Sequence, residues 1–290
     1  MNEKRLQKIF WTLAAFVLIL QIALYVSDRQ DAAVERNGDS VHMIDVGQGD
    51  SILLLSEGQA ALIDAGTPDS SQTILSYLER QGVHDLFAVV ATHPHADHIG
   101  GMADIIHTLP IGHFYMGAET TNSVSYSKML QALEMQDITP TIPKDGETLS
   151  FASGATLTFL VPPEDIPDTN LNNRSLLTLF ESNGKRMLLM GDAEQPVEAS
   201  LLKRHPDIKC DILKVGHHGS DTSSSPAFLE AIQPFMALIS CGLGNEYGHP
   251  SPKTIENLSN AGVKIVHITA EEGTIVIPFS PVDKAQEESQ

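Results

Sequence analysis

Cysteine is nearly absent: Cys210 and Cys241 are the only two in 290 residues. Two thiols build neither a disulfide framework nor a cysteine-rich zinc site, so the fold has to rest on its hydrophobic core. Each flanks an expected strand and reads as a small buried residue rather than half of a bridge. Basic residues are also scarce, with 18 Lys and Arg against 37 Asp and Glu and a net charge of −19. That balance excludes a protein that coats nucleic acid through bulk charge, although not an enzyme that handles one phosphodiester locally. Charged residues make up 19% and hydrophobic ones 42%, which excludes disorder over most of the length. Internal repeats and low-complexity segments are missing too. What the chain has in excess is histidine, at twelve positions.

One long apolar run is present. Ile9 to Val26 contains no charged side chain, and a helix of that length, at ~1.5 Å per residue, nearly crosses a ~30 Å hydrocarbon core. Lys4, Arg5 and Lys8 precede it, while Asp28, Arg29, Asp31 and Glu35 follow. The positive-inside rule then predicts a cytoplasmic N-terminus and an extracytoplasmic remainder. The expectation is a cytoplasmic stub and single-pass membrane anchor over 1–27, with a cleaved signal peptide and a secreted domain as the alternative. Residues 28–40 read as a polar linker, 41–280 as the folded domain and 281–290 as a polar tail. Residues 27–290 carry 15 basic and 36 acidic side chains, net −21.

Within the domain, period-2 runs alternate with amphipathic ones. The pattern predicts strands at Val41–Val46, Ser51–Leu55, Ala60–Ile63, Leu86–Ala91 and His113–Met116 in the first half. In the second half it predicts Ala155–Leu160, Leu176–Glu181, Arg186–Met190, Asp211–Val215, Phe235–Ser240, Lys264–His267 and Thr274–Ile277. Helices are expected near Gln72–Gln81, Gly101–Thr108, Tyr126–Met135, Glu194–Arg204, Pro226–Ile232 and Pro252–Asn260. This mixture suits two sheets covered by helices. Asp64, His93, Asp192, His217 and Cys241 each fall just beyond a strand, where α/β scaffolds carry their chemistry.

The segment Thr92-His-Pro-His-Ala-Asp-His98 concentrates three imidazoles and a carboxylate. Neutral imidazole and carboxylate suit zinc or manganese. In a tight loop His93 and His95 can grip one ion, and Asp97 and His98 can turn towards a second. Asp192 closes an apolar strand; alone it reads as a helix cap, and beside a metal site as a bridging carboxylate. Leu213-Lys-Val-Gly-His217-His218-Gly-Ser220 adds two imidazoles, and Asp64 reads as a turn carboxylate or an orienter of ligands.

These residues resemble the metallo-β-lactamase superfamily. Met43-Ile-Asp-Val-Gly-Gln-Gly-Asp-Ser51, Asn172-Asn-Arg-Ser175, Leu213–Ser220 and Tyr247-Gly-His-Pro-Ser251 are similar to the hydrolase domain of ComEC-type competence proteins. The resemblance covers about residues 41–280. It implies an α/β fold, the αββα four-layer sandwich, with two divalent ions, Zn2+ or Mn2+, at one edge of the sheets. It further implies His93 and His95 on the first ion. Asp97, His98 and one of His217 and His218 fall on the second, with Asp192 between them. Many members place another metal-binding histidine before the bridging aspartate; here Asn172–Ser175 occupies that interval. His249 is expected as a substrate-binding or proton-donating residue, and Asp97 and Asp192 as further catalytic groups. Asp50, Asp64, Asn173, Lys214 and Ser220 are expected beside the ligands or the substrate, and His42, His84, His107, His113, His205 and His267 as structural.

The chemistry implied is metal-assisted hydrolysis. The leading substrate is a phosphodiester, with DNA first, handled outside the cytoplasmic membrane. A single apolar segment forms no channel, so a transport or competence partner would have to come from elsewhere. A basic strip for DNA would need Arg174, Lys185, Arg186 and Lys214 to gather. The alternatives are a cell-surface phosphoesterase acting on wall polymers or small esters, and a non-catalytic metal-binding surface protein.

Overall fold

The computed structural model describes residues 38–166 and 170–279. Its first half runs β1 (Ser40–Met43), β2 (Ile52–Ser56), β3 (Gln59–Ile63), α1 (Ser71–Arg80), β4 (Leu86–Ala91), α2 (Ala96–Ile99), α3 (Met102–Thr108), β5 (Ile111–Met116) and α4 (Val124–Met135). The second runs β6 (Thr148–Ser150), β7 (Thr156–Leu160), β8 (Leu177–Ser182), β9 (Lys185–Leu189), α5 (Gln195–Arg204), β10 (Ile212–Lys214), α6 (Pro226–Ile232) and β11 (Met236–Ile239). It closes with α7 (Pro252–Asn260), β12 (Ile265–Ile268), α8 (Thr269–Glu272) and β13 (Ile275–Pro278).

The strands make two sheets, ordered β13-β1-β2-β3-β4-β5 and β12-β11-β10-β9-β8-β7-β6. Each begins antiparallel and becomes parallel where helices supply the crossovers: β3, β4 and β5 in one, β9, β10, β11 and β12 in the other. Strand alternation sorts the core into layers. Val41, Met43, Ile52, Leu54, Ile63 and Val90 meet Phe159, Phe180, Met187 and Leu189 between the sheets. The opposite faces, through Leu53, Leu62 and Val89 on one sheet and Leu188, Leu213 and Ala237 on the other, pack under helices. The result is the expected α/β sandwich of four layers. Parallel strands β3, β4, β9, β10 and β11 carry, just past their C-terminal ends, Asp64, His93, Asp192, His218 and Ser240.

Most expected elements are present, with differences that have local causes. Strand β6 escapes the pattern because it is three residues long with a mostly exposed, polar face. The Asp97-His98 pair sits on the one-turn helix α2 rather than in a loop, with His95 at its N-cap. Gly100 lets that turn press onto the preceding loop, since a Cβ there would lie 2.3 Å from the Ala96 carbonyl oxygen and from Pro68 N. Cys210 and Cys241 are free and buried, and burial pushes the Cys210 thiol up to about 12.

The membrane expectation is corrected. Among the described residues no helix is long and apolar enough to cross a membrane, and the run 9–26 lies outside them, as do most of the linker and the tail from 281. The preceding transmembrane helix, the membrane as partner and the extracytoplasmic, single-pass localisation therefore lack structural support.

His42, on β1, is fully buried, with Nδ1 2.6 Å from the Tyr77 hydroxyl and Nε2 2.9 Å from Ser40 Oγ. Burial lowers its pKa to about 4. Between that value and the ~6.5 of an unfolded histidine, the unfolded chain binds the extra proton, so stability present at neutral pH is lost as pH falls through this window. The expected loss is about 3 kcal/mol between pH 7 and 4. Urea unfolding at several pH values should show a shallower acid slope for His42→Gln than for the wild type; identical slopes would refute the assignment.

Candidate metal centre

Three carboxylates and three imidazoles are buried together at this sheet edge: Asp50, Asp64, Asp192, His93, His98 and His218. Such a group is tolerable only if its charges and lone pairs are answered locally. Asp192 stands at the centre. Its Oδ1 lies 3.2 Å from His98 Nε2, and its Oδ2 lies 3.4 Å from His218 Nε2 and 3.9 Å from the Nε2 atoms of both His93 and His217. Asp97, whose side chain is 33% exposed, faces His218 Nε2 at 3.4 Å from the mouth of the site. His93 Nε2 and His95 Nδ1 lie 3.0 Å apart.

The outer nitrogens are fixed from behind. His98 Nδ1 donates to Asp64 Oδ2 at 2.7 Å, and Asp64 also accepts from the Thr92 amide and hydroxyl at 2.8 and 2.7 Å. His218 Nδ1 donates to the Ser240 carbonyl at 3.0 Å. Each bond fixes the ring so that Nε2 points inward, the arrangement that ligating histidines require. His98 Nε2, His218 Nε2 and Asp192 Oδ1 are buried with no hydrogen-bond partner. Donor atoms about 2.1 Å from one tetrahedral ion stand ~3.4 Å apart, close to the spacings among Asp97, His98, Asp192 and His218. All four donors lie within 4.8 Å of one another, and Asp50, Asp64 and His98 form a second such group. The residues therefore fit a divalent cation.

Charge follows the same geometry. Burial alone would raise the Asp192 pKa, but the imidazoles of His218 and His98 hold it well below the usual carboxylate range. Against the cost of burial, Asp192 and its neighbours raise His98 and His218 well above 6.5. Burial, reinforced by the charge of His98, drives His93 well below it and keeps that ring neutral. Asp97 falls to about 2, because the close approach of the His218 imidazole, at 3.4 Å, and the charge of His98 outweigh its desolvation.

The His217/His218 alternative separates spatially. Both residues have positive φ, 47° and 53°, so the chain turns sharply and sends the two rings different ways. His218 points into the cluster. His217 sits at the rim, its Nδ1 3.2 Å from both Glu194 Oε1 and Thr222 Oγ1 and its Nε2 3.3 Å from Asn172 Nδ2. His249 lies outside both, with ring centroids 5.6 Å from His217 and 6.5 Å from His218.

Other expected residues stand behind the cluster. Lys214 is 0% exposed; it pairs with Asp50 and donates to the Gly191 carbonyl at 2.9 Å, so it touches the backbone next to Asp192 rather than solvent. Asp50 also accepts from the Ser240 hydroxyl, lies 3.5 Å from His218 Nδ1, and is held far below its ordinary pKa by Lys214 in opposition to burial. Asn173 bonds both backbone and side chain of Glu194 at 3.1 and 3.4 Å. The Ser220 hydroxyl meets Thr222 at 3.0 Å. In the interval where a further histidine was sought, Ser175 Oγ lies 3.3 Å from His93 Nδ1 and accepts from the Asp192 amide at 3.1 Å. Asn172 Oδ1 is buried without a hydrogen-bond partner. Glu194, Thr92 and Ser240 were not singled out from sequence, and Asn172 and Ser175 only as the ends of the Asn172–Ser175 motif. The one signal for Glu194, Thr92 and Ser240 was adjacency to the histidine and aspartate motifs or to a strand end. The basic strip does not gather: Lys185 and Arg186 begin β9, at the opposite end from Asp192, and Arg174 donates to the carbonyls of Pro163, Glu164 and Ile166.

A profile of the metallo-beta-lactamase superfamily matches residues 44–242. ComE operon protein 3 of Bacillus subtilis (strain 168) is 31% identical over 254 residues, covering 81% of this chain and 32% of that protein. Competence protein ComA of Neisseria gonorrhoeae is 30% identical over 250 residues, covering 86% of this chain and 33% of that one. The chain thus spans about a third of the length of these relatives. Among solved structures, the metallo-beta-lactamase fold protein YhfI from Bacillus subtilis superposes with a TM-score of 0.57 at 14% identity, over 82% of this chain and 99% of that one. At that identity the likeness concerns the fold.

Two substitutions probe the support of the cluster. Asp64→Asn should weaken metal binding about 10- to 100-fold, the usual cost of losing a partner behind a ligating histidine; competition with a chromophoric chelator measures it, and an unchanged affinity would refute the role. Lys214→Met strands the Asp50 charge and should cost about 3–5 kcal/mol. Adding Asp50→Asn should recover much of that in thermal or urea unfolding.

Proposed function

This chain belongs to the metallo-beta-lactamase superfamily, and from that premise we propose that it is a metal-dependent phosphodiesterase with DNA as its leading substrate. The observation that carries the reading is the set of inward-facing, partnerless ligand atoms on His98, His218 and Asp192, opened to solvent at Asp97. Relatives named for competence support DNA as the diester.

When bound, two divalent ions, Zn2+ or Mn2+, would lower the pKa of water and offset charge on the attacked phosphoryl group. His93 and His95 would hold one ion, and Asp97, His98 and His218 the other, with the Asp192 carboxylate between. Asp64 and the Ser240 carbonyl keep the Nε2 atoms of His98 and His218 aimed inward. Asp97, the partly exposed carboxylate of the cluster, would accept the proton of the attacking water. His217 and His249, on the rim, would meet a substrate oxygen, with Glu194 fixing the ring of His217. A second reading, a small diester in place of a polymer, is favoured by the absence of a gathered basic strip.

The full chain supplied with Mn2+ or Zn2+ should cleave single- or double-stranded DNA, and Asp97→Ala or Asp192→Ala should reduce the rate at least ~100-fold. Cleavage of bis-(p-nitrophenyl) phosphate with DNA left intact would move the substrate to small diesters. Retention of metal with neither substrate cut would remove the phosphodiesterase reading.

A further inference from the structure

The rim loop 242–249 carries two of the most exposed large apolar side chains among the described residues, Leu243 at 88% and Tyr247 at 63%. A large aromatic ring left open beside a candidate metal centre has no packing reason to be there. Tyr247 is oriented all the same. Its ring stacks on His249 at 5.7 Å and 25°, and His249 stacks in turn on His218 at 6.5 Å and 27°. The three rings form a ladder from the buried ligand cluster to solvent, and the last rung is at most about 12 Å from the His218 ring.

The loop that presents this ladder is closed on itself. The Asn245 side chain donates to the carbonyls of Gly242 and His249, at 2.9 and 2.6 Å, and accepts from the His249 amide at 2.9 Å. At one end the Gly242 amide donates to Gln48 Oε1 at 3.2 Å; at the other the Ser251 amide donates to the Gly219 carbonyl, next to His218, at 2.8 Å. The tyrosine is thus held in register with the ligand cluster rather than displayed on a free tip.

We propose that Tyr247, backed by His249, is a stacking platform for an unpaired nucleobase one or two nucleotides from the phosphate at the metal centre, which makes single-stranded nucleic acid the preferred substrate. The inference rests on the phosphodiester reading above, but its test does not depend on cleavage. Two features favour an unpaired base. The domain is strongly acidic and gathers no basic strip, so strand affinity beyond the metal centre must come from contacts that carry no charge. A π-face supplies this for every base alike. In a duplex both faces of each base are already covered by neighbours, so the platform selects strands whose bases are free.

Binding of a single strand containing 2-aminopurine to the full chain with Mn2+ tests the proposal, because stacking on an aromatic ring quenches the probe whether or not the strand is cut. Tyr247→Ala should abolish the quench and weaken binding by about 5- to 100-fold, the range that base–aromatic stacking is worth, while Tyr247→Trp should restore both. An all-abasic strand of the same length should bind the wild type as weakly as it binds Tyr247→Ala. The wild-type to Tyr247→Ala ratio should also stay constant between 50 and 200 mM salt, unlike the phosphate contribution. An unchanged quench and affinity in Tyr247→Ala, or an equal loss on the abasic strand, would overturn the platform. Quenching without cleavage would support the platform and count against the phosphodiesterase reading alone.

Discussion

A carboxylate that is both buried and surrounded by imidazoles sets the terms for the whole sheet edge. Asp192 cannot keep its charge in that position without partners, and the cost of an unanswered buried ion is several kcal/mol. The chain answers with His98 and His218, and behind them with Asp64, Asp50 and Lys214. Among the buried groups the balance is close. Three carboxylates face Lys214 and two imidazoles whose pKa values are raised well above 6.5. A divalent cation held by the neutral rings of His98 and His218 would answer the same carboxylates.

The fold contributes closeness that side chains alone would not achieve. Five loops converge because each follows a parallel strand at the same edge of two facing sheets, and the Val46–Asp50 turn between antiparallel β1 and β2 joins them there. Backbone then approaches backbone to a degree that forbids a Cβ. At Gly49, a Cβ would lie 2.3 Å from the Asp97 carbonyl oxygen, and the following amide, of Asp50, donates to that oxygen at 3.1 Å. The glycine-rich Val46–Asp50 segment therefore clamps the helix that bears Asp97 and His98, and it does so with main chain. Positive φ at Asp64, His217 and His218 adds the sharp turns that let consecutive residues serve different neighbours.

Much of this was legible in the sequence, for reasons that also mark where legibility ends. Strand periodicity located nearly every sheet element, because burial on both faces leaves long apolar runs that end abruptly at the loops. The placement of polar clusters at those ends brought out Asp64, His93, Asp192 and His217, and the resemblance grouped His95, Asp97, His98 and His218 with them. Spacing could not choose between His217 and His218, since the choice is made by left-handed backbone at two non-glycine residues. Nor could it show that Lys214 lies beneath the cluster rather than beside the substrate: a lysine ending a short buried strand is indistinguishable, as text, from one reaching outward. Glu194 was hidden because an acidic residue before a helix already has an ordinary explanation in capping. The apolar run at 9–26 had an equally ordinary explanation in membrane insertion, which length and flanking charge supply without reference to any fold.

Net charge remains the feature that any account of substrate has to meet. Residues 27–290 carry −21, and a polyanion approaching such a surface is repelled at distances comparable to the Debye length, about 8 Å at physiological ionic strength. Attraction must then be short-ranged and concentrated at the site. Divalent cations in the ligand cluster would reverse the sign of the field locally, over the span of one or two phosphates, and leave the rest of the surface repulsive. An enzyme built this way gains little from long substrates, since each further phosphate adds repulsion instead of a contact. Its selectivity has to reside in the first few groups around the scissile bond, where His217, His249 and Tyr247 stand. The acidity that excludes a broad nucleic-acid surface thus also predicts where discrimination is made: at the rim of the metal centre, by rings and hydrogen bonds rather than by charge.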